Sequence, residues 1–224
     1  MKLIYTCLAL YMMAGFNNTQ ASIIAYTGNA TFGGVGGNLN IGREFAVTGS
    51  GITILELGVF DYGGNGLINS HLISIFKINS GAGGANANVS LLPGGTVTVL
   101  GGMNGPLIDS FRFASLATVI YLAPGNYSII AYGLNSNGGD PYGDHGGLPS
   151  GGNVTNIPFD PFQFTSATSP AYPIGGDSNN HTSVSFLYNL GNTISTSVPE
   201  PETFVLFSLG FGGLFRTKFQ KAKN

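Results

Sequence analysis

Between residues 22 and 197 the apolar residues recur with a period of two, and glycine or proline interrupts nearly every such run. Side chains alternate between the two faces of a strand, so this pattern asks for half-buried strands and leaves no room for a long amphipathic helix. In 43–48, Phe45 and Val47 share a face; in 53–59, Leu55, Leu57 and Val59 point one way and Glu56 the other. In 182–190, Val184, Phe186, Tyr188 and Leu190 oppose Ser183, Ser185 and Asn189, while Phe111 and Phe113 flank an outward Arg112. The segments 72–78 and 127–134 are apolar on both faces and are expected as central strands.

The breaks have turn chemistry: Gly63-Gly64-Asn65-Gly66, Pro93-Gly94-Gly95, Gly101-Gly102, Pro124-Gly125 and Gly138-Gly139-Asp140-Pro141. At Leu122-Ala123-Pro124-Gly125-Asn126-Tyr127, Pro124 presets φ and Gly125 supplies the positive φ of a type II turn. Tyr127 then opens a strand, where its hydroxyl reaches back to backbone near Leu122, as in a tyrosine corner. Many short strands between such turns predict an all-β fold, a β-sandwich or jelly-roll-like single domain over 22–197. The Gly-, Pro- and Asn-rich region 135–180 is expected as long loops at one end of it.

Composition narrows the function classes. Only 8% of residues are charged, against about 25% in ordinary domains. The basic residues of 22–197 are Arg43, Lys77 and Arg112, set against Glu44, Glu56, Asp61, Asp109, Asp140, Asp144, Asp160 and Asp177. That body is acidic and has no basic patch to neutralise phosphates, so nucleic acid is a poor partner. Its many Tyr, Phe and β-branched residues exclude a disordered chain.

The two ends have a different character. Met1-Lys2, an apolar core over 3–16 and a polar exit with small residues at Thr19 and Ala21 make a secretory signal peptide over 1–21, cleaved between Ala21 and Ser22. Cys7, the only cysteine, lies inside that core and leaves with it, so the mature chain has no disulfide or thiolate chemistry. At the other end, Val198-Pro199-Glu200-Pro201-Glu202-Thr203 leads into an apolar run that opens at Phe204 and closes at Phe215; Arg216, Lys218, Lys221 and Lys223 follow. As a helix that run reaches about 20 Å at about 1.5 Å per residue, short of a bilayer core of about 30 Å. Gly210, Gly212 and Gly213 weaken it further. It suits temporary retention as a short transmembrane helix, with the basic residues inside.

A Pro/Glu motif, an apolar stretch and a basic end, in that order over 198–224, resemble the C-terminal sorting signal of PEP-CTERM proteins. The resemblance implies an exported bacterial protein, passing through the inner membrane to the cell surface or extracellular matrix. It implies an exosortase-type enzyme as partner, which recognises Pro199-Glu200-Pro201. The stretch 42–133 is also similar to a β-sandwich module common in such exported proteins. The matching pieces are Glu44-Phe45-Ala46-Val47, Leu57-Gly58-Val59-Phe60-Asp61, Gly66-Leu67-Ile68-Asn69-Ser70-His71, Phe111-Arg112-Phe113 and 122–127. That module carries no agreed activity, so the likeness bears on fold.

Candidates for chemistry are sparse. Asp61 and Asn65 occupy the first and fifth positions of a partial calcium-loop pattern, but Gly63 and Leu72 stand where further ligands belong. A plain hairpin-type loop is the simpler expectation. Asp140, Asp144 and His145 could meet a cation or simply face solvent. His71, His145 and His181 lack metal-ligand spacing. No nucleophile-elbow sequence appears and no carboxylate pair lies in a glycosidase context. The expectation is therefore a non-enzymatic exported protein with a structural or adhesive role, no cofactor, and surface polysaccharide as a further partner. Three rivals remain. A carbohydrate-binding module would gather Tyr142, Phe159, Phe162 and Tyr172 on one surface. An exported hydrolase would need a cleft with opposed carboxylates or a metal, and a permanently membrane-anchored protein would keep its C-terminal helix.

Overall fold

A computed structural model describes residues 21–27, 31–33, 37–82, 87–135, 137–144, 152–156, 162–166, 172–173, 175–177 and 183–193. They form two antiparallel sheets with almost no helix. One sheet has the order β1 (Ile23–Ile24), β14 (Val184–Leu190), β4 (Ile52–Phe60), β8 (Phe111–Leu122), β7 (Leu107–Ile108). The other has the order β13 (Gly175–Asp177), β12 (Phe162–Ser166), β3 (Leu39–Val47), β9 (Gly125–Leu134), β5 (His71–Ser80), β6 (Asn88–Val99), with β11 (Val154–Asn156) also paired to β3. A two-stranded ribbon joins β2 (Thr31–Gly33) to β10 (Tyr142–Asp144). The signal helix and the C-terminal apolar helix expected from the sequence lie outside the described residues.

The period-two faces meet between the sheets. Ile41, Phe45 and Val47 of β3, Ile129 and Ala131 of β9 and Ile73 and Ile75 of β5 share one core with Ile52, Ile54, Leu57 and Val59 of β4 and Val184, Phe186 and Tyr188 of β14. Phe45 and Phe186 touch across the layers with ring centroids 4.9 Å apart. Each large apolar side chain so buried contributes about 1.5–3 kcal/mol. As their two apolar faces predicted, β5 and β9 are interior strands.

Three local expectations need correction. The β14–β4 register shifts between Leu187 and Tyr188, where β4 carries one more residue than β14, so a bulge at Leu55 changes the phase of β4. Ile52 and Ile54 face the core before it and Leu57 and Val59 after it, while Leu55 is only partly buried. A simple alternation cannot anticipate one extra residue. Arg112 is not outward: it is buried on the opposite face from Phe111 and Phe113, which join Phe60 and Leu187 in a second apolar cluster. The region 135–180 is more than loops, since it supplies β10, β11, β12 and β13. These strands are three to five residues long and draw most of their order from edges already formed, so their own periodicity is too short to read.

Two turns also differ from their sequence patterns. Pro93-Gly94-Gly95 lies within β6, where the register against β5 shifts between Ser74 and Phe76. An edge strand tolerates a proline and a bulge because one side of it has no ladder to break. Gly125 has φ of 158°, nearly extended, and opens β9 instead of completing a type II turn. The tyrosine corner is present: the Tyr127 hydroxyl donates to the Ala123 carbonyl at 2.9 Å.

The strand registers define two ends. Ile52 pairs with both Leu122 and Leu190, so the turns at 48–51 and 123–124 and the chain beyond Leu190 share one end. Ile23 lies opposite Tyr188, so the chain enters near this same end. Phe60 pairs with Phe111, so the loops 61–70 and 100–110 crown the other end.

Candidate functional site

The crown is built on two buried side-chain pairs. Asp61 directly follows β4, and Arg112 on β8 lies directly across from Val59. Arg112 Nε donates to Asp61 Oδ2 at 2.7 Å, its Nη1 reaches the carbonyls of Met103 and Gly105 at 3.4 and 3.3 Å, and its Nη2 reaches that of Gly64 at 3.1 Å. The Asp61 carboxylate also accepts the Gly66 amide at 3.1 Å. One guanidinium therefore ties together both crown loops, and five donors in a planar fork suit it to that task.

The second pair stands at the start of β5. His71 Nε2 lies 2.8 Å from Asp140 Oδ2, and Nδ1 lies 3.0 Å from the Tyr132 carbonyl. Asp140 accepts the amides of Ile68 and Asn69 at 2.7 and 2.8 Å. Both ring nitrogens of the imidazole are thus engaged by oxygen atoms. Burial alone would raise the Asp140 carboxyl, but the hydrogen bonds from His71, Ile68 and Asn69 outweigh it and hold the group below its ordinary value.

A depressed carboxyl contributes stability that is present above its unfolded pKa, about 4, and lost as pH falls through the folded value. Asp140→Asn is therefore expected to cost about 2 kcal/mol at pH 7, the scale of hydrogen bonds to a charged group. The gap from the parent protein should close as pH drops below about 4. Urea unfolding at pH 7 and pH 3 checks this; an equal gap at both would show that Asp140 acts through packing and not charge.

These contacts place the sequence candidates. Asp61 is committed to Arg112 and Gly66, and Asn65 is exposed on its loop, so the partial calcium pattern serves as a loop staple connecting the two sheets and is not a hairpin. Asp140 is committed to His71 and two amides; Asp144 lies in β10 opposite Thr31, and His145 is outside the described residues. Among the described residues no group of three potential ligands could hold a metal ion. With both ring nitrogens engaged, His71 has none to offer a serine.

Of the four aromatic candidates, Tyr142 and Tyr172 have described side chains, and neither is among the exposed residues. Tyr142 is buried in the main core. Tyr172 is half-buried: its hydroxyl donates to Glu44 Oε1 at 3.2 Å, and its ring meets Phe76 edge-on with centroids 5.2 Å apart. Phe162 opens β12 opposite Arg43, and Phe159 is outside the described residues. Pro199, Glu200, Pro201, Phe204, Phe215, Arg216 and Lys218 are outside them too, whereas Ala21 and Ser22 are described and exposed ahead of β1.

Sequence reasoning missed two features. Arg43 shares the inward face of β3 with Phe45 and stacks over the Tyr26 ring, 4.7 Å from its centroid. Burial pulls this guanidinium below its ordinary pKa, and its interaction with Tyr26 opposes that. The second is the surface of the crown, where Tyr62, Ile68, Leu100, Met103, Leu107 and Ile108 are exposed. A pattern search treats them as loop residues, and only the cross-loop bonding shows that they belong together.

No protein-family model, curated protein or solved structure matches the chain. Among the described residues no helix is long and apolar enough to cross a membrane.

Proposed function

We propose that this chain is an exported, non-enzymatic cell-surface or extracellular-matrix protein with a structural or adhesive role, delivered through its C-terminal segment. The observation that carries this reading is the order Pro199-Glu200-Pro201, apolar run, basic end. One other supports it. Cleavage after Ala21 leaves β1 whole, whereas a cut two residues later would divide it. The placing of β3, β9, β5 and β6 in one sheet and of β4 and β8 in the other supports a sandwich with jelly-roll-like winding. The partners are an exosortase-type sorting enzyme and surface polysaccharide.

Pro199 and Pro201 fix φ and withhold two backbone donors, which keeps the motif extended ahead of the membrane helix. Glu200 holds it at the outer interface, within reach of a processing enzyme. Replacing Pro199, Glu200 and Pro201 by alanine should leave the sandwich folded and the protein unprocessed in the inner membrane. Intact mass and cell fractionation read the outcome. Normal surface delivery with an unchanged mature mass would reject the mechanism and leave a permanently anchored protein.

A further inference from the structure

The first described strand finds its partner at the far end of the chain. Among the described strands β1 is bonded to β14 alone, with Ile23 opposite Tyr188 and Ile24 opposite Leu187. The contact continues past the strand. The Ala25 amide donates to the Phe186 carbonyl at 2.9 Å, the Tyr26 amide donates to Ser185 Oγ at 3.1 Å, and that hydroxyl donates to the Tyr26 carbonyl at 3.0 Å. The Tyr26 ring meets Phe186 edge-on with centroids 6.1 Å apart and lies under the Arg43 guanidinium. Ala25 and Tyr26 are buried members of the main core, so the segment 23–26 helps to complete it.

This segment is short enough to open. Its ladder is two residues long, and the buried Tyr26 hydroxyl has no hydrogen-bond partner among the described residues, which costs about 1–3 kcal/mol. Release of so small a terminal element needs far less free energy than unfolding of the domain. β14 supplies every hydrogen-bond partner named above, so 23–26 has none of them until 184–190 is in place.

Its position bears on processing. Ala21 and Ser22 are exposed, but Ile23 follows Ser22 directly and stands in the ladder. A peptidase that draws an extended segment across its active site must first lift Ile23 and Ile24 off β14, so cutting then tracks the opened fraction. Tyr26 and Ser185 are 159 residues apart. At a synthesis rate of about 5–20 residues per second, the partner strand follows by roughly 10–30 s. During that interval nothing on β14 holds the junction.

We propose that 23–26 is a closing strap. The junction between Ala21 and Ser22 is open to signal peptidase while the chain crosses the membrane, and docking on β14, the last described strand to arrive, seals it. This rests on the reading of 1–21 as a signal peptide, and the experiment separates the two.

Purified signal peptidase is given two substrates: a synthetic peptide covering 8–27, which has no β14 to dock on, and the folded, uncut full chain carrying Cys7→Ser, Ile24→Cys and Leu187→Cys. Ile24 and Leu187 are direct cross-strand partners, within the spacing a disulfide bridges. The oxidised chain should be cut roughly tenfold more slowly than the peptide or slower still. Dithiothreitol should raise its rate, and Tyr26→Ala should raise it further toward that of the peptide. The chain without the two added cysteines, compared with its own Tyr26→Ala variant, gives the same reading if the pair disturbs the fold. Equal rates for peptide and oxidised chain, or rates insensitive to both dithiothreitol and Tyr26→Ala, would overturn the strap and leave the signal reading standing. A peptide that is itself left uncut would overturn the signal reading, and the strap with it.

Discussion

Replacing Arg112 by methionine is expected to lower the unfolding free energy by about 3–5 kcal/mol, the scale for removing one partner of a buried ion pair. The reason is what remains behind. The Asp61 carboxylate is left in a site where its side chain is 1% exposed, with the Gly66 amide as its remaining donor among the described residues. The carbonyls of Gly64, Met103 and Gly105 lose their shared donor at the same time. Natural domains are stable by about 5–15 kcal/mol, so this single change should be visible at once in the denaturation midpoint. Adding Asp61→Asn to Arg112→Met should restore part of the loss, because the unpaired charge is then gone. A loss below about 1 kcal/mol would instead place the pair with exposed surface ion pairs.

Gly42→Ala is the second change with a large expected effect, and Gly58→Ala is its control. A Cβ on Gly42 would run into the backbone carbonyl of Ile129 and lie 2.9 Å from the Ile130 Cα on the adjoining strand. Backbone in the middle of a ladder cannot step aside, so this substitution should cost about 3 kcal/mol or more, the upper range of overpacking. A Cβ on Gly58 would meet the Phe113 ring at 2.6 Å, and Phe113 is its direct cross-strand partner. A side chain can be shortened, so Phe113→Leu should relieve Gly58→Ala in part, while no single side-chain change should relieve Gly42→Ala. Thermal unfolding of the two single variants and of the double variant Gly58→Ala/Phe113→Leu measures the difference. Equal rescue, or none, would show that the two glycines are held by the same kind of contact.

The sequence made the class of fold legible because β3, β5, β9 and β14 carry their burial pattern in their own residues. Val184, Phe186 and Tyr188 needed no outside information, and neither did the doubly apolar β5 and β9. What was hidden depends on events outside each segment. A bulge after Ile54 reverses which residues of β4 face inward. Arg112 between two phenylalanines has the pattern of an outward charge, and only Asp61, brought to it by the β4–β8 pairing, makes the inward position tenable. The strands β10, β11 and β12 are set by partners far along the chain. Of the candidate site residues, Asp61 and Asp140 were picked out by type, but their task is to staple loops, which spacing alone does not distinguish from binding a cation. The crown surface left no periodic trace because its six side chains come from segments that pattern analysis treats as turns.

The route by which the chain leaves the sandwich has a mechanical meaning. β14 runs from Val184, level with Val59 near the crown, to Leu190 at the other end, and it is bonded on one side to β1 and on the other to β4. Ladder bonds in antiparallel pairs lie perpendicular to the strands. A pull on the tail, with the crown held, therefore acts along β14 and across all of its bonds together, so they share the load in shear instead of opening one after another like a zip.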